Sequence, residues 1–326
     1  MEALPLAVQT LYAELLEQCR TAGKTYGSLY DREIKGELYT YLKMQVARSR
    51  VDAYLGRTGD DKTRSKRLEI ERENASRQQR VQLVQMLRKH LPSHLAPMID
   101  VVAALAWAGI MADAVLVGTN AYACYAGLLG HRLDNAMNST EDADIATLNL
   151  ASTADIGGAS LETVLQKADA SFKGVATLSK SGFPAQFKAS NGYRVDILTQ
   201  MRSSRSSSNI PLPKLKASAM PLQHLAWLIE SPAEAVLLSG AGVLVQVPQP
   251  ARFAVHKLIV AQKRGSTERL KRNKDLAQAK SVILALAASD PEALRQAYED
   301  ACAQGRKGWE EPIRKSLREI DVDISK

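Results

Sequence analysis

The dipeptide Asn191-Gly192 sits between two β-patterned stretches in "FPAQFKASNGYRVDILTQ". Both residues tolerate positive φ, so the chain is expected to reverse there. The strand at 193–199 then pairs antiparallel with the strand at 184–189. This second strand carries Asp196 between Val195 and Ile197. An acid inside an apolar strand is costly unless a partner offsets its desolvation. The plain alternative is an edge strand with Asp196 facing water.

Upstream, "VLVGTNAYACYAGLL" runs an apolar strand, 114–118, straight into two small residues and a helix at about 119–129. Gly118-Thr119 serves either as a tight turn with Thr119 as N-cap or as a place where phosphate oxygens approach bare backbone at a helix N-terminus. A helix at 98–111 precedes this strand. A second strand is expected at 145–150, followed by a helix over "LETVLQKADASF".

The segment "TEDAD" places Asp142 and Asp144 two residues apart. On a strand both carboxylates project from one side and Glu141 from the other. Two close like charges repel, and a divalent cation with hard oxygen ligands, Mg²⁺ or Mn²⁺, resolves the repulsion. Taken alone, such a pair is most often an exposed turn. Asp196 on a later strand supplies the third carboxylate that a cation site needs.

The remaining chain divides by pattern. Residues 1–57 read as a helix (5–20) and three short antiparallel strands within 26–56. Residues 58–97 form a basic connecting helix. Its sparse stripe is Leu68, Val81, Val84 and Leu87, with Arg64, Lys66, Arg67, Arg72, Arg77 and Arg80 on a solvated face. Residues 98–210 form the α/β unit, ending in the loop or joint "RSSRSSSN". Residues 211–326 read as mainly helical, with helices over "SAMPLQHLAWLIES", 251–264, 267–288, 291–304 and 309–320, and a small hairpin around Gly240 and Gly242. No internal repeat is visible. The fold class expected is α+β.

Net charge is +8 over 326 residues, which suits polyanionic partners. Aromatics make up 5%, so composition advertises no base-stacking platform. Cys19, Cys124 and Cys302 lack metal-ligand spacing and read as reduced thiols. No signal peptide or membrane span is expected, and the chain reads as cytoplasmic.

The order Val117-Gly118-Thr119, Asp142-Ala143-Asp144, Val195-Asp196-Ile197 resembles the nucleotidyltransferase superfamily of the DNA polymerase β type. Thr119 stands where Ser or Gly is usual, and the first gap is longer than in many members. "VGTNAYACYAG", "TEDADI", "RVDILT", "PARFAVHKLIVAQKR" and "KRNKDLAQA" resemble, more narrowly, the bacterial GSU2403-type nucleotidyltransferase-fold family, as does the leading segment "IKGELYTYLKMQ". The resemblance implies a mixed-sheet core and two-metal transfer of a nucleotide from a nucleoside triphosphate to a hydroxyl. Asp142 and Asp144 would bridge both Mg²⁺ or Mn²⁺ ions. Asp196 would ligate the catalytic one and serve as proton acceptor, while Gly118, Thr119 and Asn120 face phosphate. Related proteins, including AbiEii-like toxins, imply that Lys257 contacts the triphosphate. Arg264 lies seven residues on, on the same helical face. Lys274 and Asp275 either form local helix pairs with Lys271 or Gln278, or help close the pocket. His256 reads as structural, and Trp107 and Trp227 as core.

The acceptor is open between an RNA 3′ end, a protein hydroxyl and a small molecule. The basic stripes 62–90 and 263–280 lean toward nucleic acid, and a toxin or defence role acting on tRNA fits the resemblance. The competing reading is a nucleic-acid-binding module on a non-catalytic nucleotidyltransferase scaffold. A glycosyltransferase also uses Asp-x-Asp, but it predicts neither the Gly-Thr turn nor the acid on a following hairpin.

Overall fold

A computed structural model describes residues 2–23, 25–134, 142–147, 158–176, 182–201 and 208–324. Its centre is a mixed sheet. Numbered along the chain after a separate three-stranded sheet (β1–β3), its strands are β4 (Val115–Val117), β5 (Asp142–Thr147), β6 (Lys173–Gly174), β7 (Gln186–Lys188), β8 (Arg194–Gln200), β9 (Ile210–Leu212), β10 (Ala217–Leu222), β11 (Ala233–Leu237) and β12 (Val243–Val247). The order is β11-β12-β4-β5-β8-β10-β9, with the β6–β7 pair beside the start of β8. β5 and β8 are parallel neighbours, and β4 runs antiparallel to β5. Helices flank the sheet, as the α+β expectation requires.

Alternation in β5 and β8 decides which face carries chemistry. Ala143, Ile145, Val195 and Ile197 are buried in the core with Phe187, while Asp142, Asp144 and Asp196 on the other parity are only partly buried. The hairpin forms where Asn191-Gly192 predicts it, as a three-residue loop. Ala189 pairs with Tyr193, Gly192 takes φ +90°, and the Asn191 side chain accepts from the Tyr193 N–H at 2.9 Å. Strand β5 starts at Asp142, earlier than expected. Glu141, 148–150 and 202–207 lie outside the described residues.

The N-terminal helix, Leu6–Thr21, buries Val8, Tyr12, Leu15 and Cys19, one stripe at helical spacing. It packs on the β11–β12 edge, where the Val236 N–H donates to the Tyr12 hydroxyl at 3.2 Å. The expected small sheet is present as β1 (Ser28–Ile34), β2 (Glu37–Val46) and β3 (Ser49–Arg57), in that order and antiparallel. The long helix Asp61–Leu87 covers its inner face with Thr63 and Ile70.

Several local expectations are corrected. Arg80 is buried, paired with Glu73 at 2.6 Å, Arg67 bonds Asp31 at 2.7 Å, and Arg77 covers the Tyr26 ring. Three of the five supposed solvated arginines therefore bind inward, whereas Leu68 of the supposed apolar stripe is 55% exposed. Trp227 is core, but Trp107 is 45% exposed beneath the Lys167 ammonium. The helix over "LETVLQKADASF" stops at Leu165. Just beyond, the Asp169 carboxylate accepts from the Ser171 N–H and hydroxyl, a local turn that competes with helix. "SAMPLQHLAWLIES" is not one helix. Pro221 lies in β10, and His224 at φ +63° precedes a short helix, Leu225–Leu228. The expected hairpin forms as β11–β12, and β9 to β12 all belong to the sheet that carries the acids. Helices Pro250–Lys263, Arg269–Ser289, Pro291–Ala303 and Glu311–Ile320 match the expected positions. The three cysteines are free thiols, and among the described residues no helix is long and apolar enough to cross a membrane.

Candidate active site

The sheet register builds the site. Asp144 and Asp196 are partners across β5 and β8, about 4.8 Å apart along the sheet and on one face. Val117 extends this row on one side and Gln186 on the other. Gln186 donates to Asp196 Oδ1 at 2.6 Å. Asp142 heads the next row beside Arg194, whose guanidinium lies 3.7 Å from it. The three predicted acids therefore share one strip of sheet.

Gly118 closes the edge of this strip. It has φ +66°, and a Cβ there would stand 2.5 Å from Asp144 Oδ2. The tight turn and the bare backbone are one structure, because a side chain at 118 would occupy the carboxylate's place. Thr119 follows in the short helix Gly118–Tyr122, and its hydroxyl accepts from Gln278 Nε2 at 3.4 Å. Asn120 is buried and its amide donates to the Asp142 carbonyl at 2.8 Å. It thus fixes the start of β5 from behind.

Cations face the acids from two helices. Lys257 on Pro250–Lys263 bonds the buried Asp275 at 2.6 Å, and Arg264 Nε bonds its other oxygen at 3.0 Å. Asp275 thus clamps the two cations picked from the sequence spacing. Lys271, Lys274 and Gln278 lie at i, i+3 and i+7 on helix Arg269–Ser289 and share a side. The fields of Lys257 and Lys271 act on Asp144, that of Lys271 also on Asp196, and Lys274 interacts with Asp142.

Electrostatics follow from this crowding. Asp144 retains some accessible surface, yet it lies deep enough that burial, then the charges of Asp142 and Asp196, push its carboxyl up to about 7. Burial also raises Asp196, opposed by the Gln186 bond. Lys274 is lowered by burial and then by Lys257. Burial and then Lys257 bring His256 down to about 3, which keeps it neutral.

Among the described residues no trio of His, Cys, Asp and Glu side chains stands gathered as a ready-made cation cage. Asp142 leans toward Arg194 and Asp196 is held by Gln186. The chemistry of the donors nonetheless fits a hard divalent ion. All are carboxylate oxygens, and the inner one is destabilised as an anion by burial and then by its two neighbours.

Sequence reasoning did not single out Gln186, Arg194, Tyr193 or Lys271 for the site. Tyr193 is buried, its hydroxyl raised by burial and by Asp142 and Asp144. The spacing of Lys271, Lys274 and Gln278 carried a readable signal. Gln186 and Arg194 needed the loop length.

Acids and lysines opposed across a glycine turn at a strand end have the charge arrangement that suits a polyphosphate substrate. A nucleotidyltransferase family profile matches residues 96–303. That span is more than half of the chain, and the chain belongs to this nucleotidyltransferase family. No curated protein and no solved structure matches it significantly.

Proposed function

We propose that the protein is a metal-dependent nucleotidyltransferase of the GSU2403-type branch. It moves a nucleoside monophosphate from a nucleoside triphosphate to a hydroxyl acceptor. The observation that carries this reading is the pairing of Asp144 with Asp196 on adjacent strands, with Gly118 against Asp144. Asp142, Asp144 and Asp196 would hold Mg²⁺ or Mn²⁺, two ions in the family pattern. When bound, the metal neutralises phosphate charge and acidifies the acceptor hydroxyl.

The protein's own groups do the remainder. The Gly118 turn and the Thr119 N–H and hydroxyl receive phosphate oxygens, and Lys257, Lys271 and Lys274 offset their charge. Arg264 acts through Asp275 to hold Lys257 in place. The acceptor oxygen bonds to the α-phosphorus while the bond from that phosphorus to the bridging oxygen breaks. The electron pair leaves with pyrophosphate, and the hydroxyl proton passes to Asp196. A toxin or defence role acting on tRNA rests on sequence resemblance alone.

The test incubates the protein with each α-labelled nucleoside triphosphate, Mg²⁺ or Mn²⁺, and total RNA or lysate. Label transfer that is lost in Asp142→Ala and Asp196→Ala is expected. Equal labelling by variants and wild type overturns the mechanism.

A further inference from the structure

Composition advertises no stacking surface, yet four of the ten tyrosines meet on the outer face of the β1–β3 sheet. Tyr30 stacks on Tyr41 with ring centroids 5.5 Å apart and planes 21° apart. Tyr54 lies 5.5 Å from Tyr41 and 6.0 Å from Tyr39. The inner face is the one that buries Thr40, Leu42 and Val46, so the tyrosines take no part in that core. Tyr54 is 59% exposed.

Cations are interleaved with the rings. Arg32 is the register partner of Tyr39, Lys43 lies over the Tyr30 ring at 5.2 Å, and Arg57 pairs with Tyr39 from the other side. Arg50 sits opposite Gln45 on the same face. Glu37, bonded to Arg57, and Asp52, bonded to Tyr30, are the acids on this face, so four cations meet two anions. Placing Tyr54 and Arg57 together takes a special device. Residues three apart on a regular strand point to opposite faces, and the register shift between Thr40 and Tyr41 admits one extra residue, Leu55, which turns both outward.

Stabilising a small sheet needs cross-strand aromatic pairs, but it needs neither a net positive rim nor an exposed ring at Tyr54. Flat rings spaced between guanidinium and ammonium groups match unpaired bases on a charged backbone. Tyrosine hydroxyls, Gln45 and Asp52 on the same face offer acceptors to ribose 2′-hydroxyls. We infer that the outer face of β1–β3 binds single-stranded RNA by stacking bases on Tyr30, Tyr39, Tyr41 and Tyr54. The face joins the catalytic unit through the β2–β3 turn, where the Arg48 N–H donates to the Lys167 carbonyl at 3.1 Å and Arg48 Nε bonds Asp100 at 2.7 Å. The assignment does not depend on catalysis.

The test is fluorescence anisotropy of the full chain with a labelled oligouridylate of about twelve nucleotides. Tyr54→Leu should weaken binding about tenfold, and Tyr54→Phe should leave it within about twofold, because stacking needs the ring and not the hydroxyl. Arg32→Gln with Lys43→Gln should lower the slope of log affinity against log salt by about one. Asp142→Ala should bind as wild type does, so loss of transfer with intact binding isolates the catalytic reading from this one. Unaltered melting of each variant shows that the sheet remains folded. The inference is overturned if wild type fails to bind, if Tyr54→Leu and the charge variant bind as wild type, or if oligothymidylate binds as tightly.

Discussion

Gly118 and Asp144 share one volume. The missing side chain of the first is the space filled by the carboxylate of the second, 2.5 Å from where a Cβ would stand. A turn residue and a charged residue 26 positions later are thus a single fitted unit, and this carries the first prediction. Gly118→Ala should cost roughly 2–3 kcal/mol in urea unfolding, from the left-handed backbone and the displaced carboxylate. Nucleotidyl transfer should fall by about a hundredfold or more, because the proposed mechanism sets the displaced atoms beside the reacting phosphate.

Asp144 also sets a pH dependence in metal-free protein. Its carboxyl titrates near 7 in the fold, against an ordinary 3.8. Between those values the folded chain holds a proton that the unfolded chain has lost. Its contribution to stability is therefore full below about 3.8 and disappears as pH rises through about 7. Asp144→Asn should equal wild type near pH 4 and exceed it by roughly 1–3 kcal/mol at pH 8. Urea titrations in chelator at the two pH values check this. Added Mg²⁺ should raise the melting temperature of wild type at pH 8 and leave that of the variant unchanged.

Asp275 is almost fully buried and is the shared partner of Lys257 and Arg264. Removing it leaves two cations facing each other across a low-dielectric gap. Asp275→Ala should lose about 3–5 kcal/mol, read by urea midpoint. Lys257→Met with Arg264→Met should lose less than the single acid variant does, since it leaves one unpaired buried charge rather than two that repel.

Lys271 is exposed and Lys274 half-buried on the helix side that faces the acids. Lys271→Gln and Lys274→Gln should each weaken nucleoside triphosphate binding about tenfold. The weakening should be steeper for triphosphate than for monophosphate, as isothermal titration with the two nucleotides would measure. Equal losses for both nucleotides would mean that these lysines act on base or ribose.

Much of this site is legible in the sequence. Period-2 alternation placed Asp142 and Asp144 on one face, and an acid between Val195 and Ile197 demanded a partner. The glycine before a helix marked the close approach. Register was harder to read. The strand bounds 184–189 and 193–199 leave 190–192 as the loop, and with Ala189 bonded to Tyr193 this sets Gln186 opposite Asp196, a partner that no residue pattern marks. The strand at 217–222 was hidden by apolar residues that suit either helix or strand. Tertiary pairing with β8 and β9, together with Pro221, decided the matter. The tyrosine face could not be seen in a percentage, because stacking depends on which strands adjoin and on one bulge.

The loop at 190–192 touches none of the chemistry, yet its length governs all of it. Unless a bulge absorbed the change, one residue more or fewer there would turn β8 by one step relative to β7, aiming a carboxylate at the hydrocarbon interior. Chains built on this plan are therefore held in length at this loop, and in lettering at 191 and 192, where the bond to the Tyr193 N–H and a φ of +90° favour asparagine and glycine.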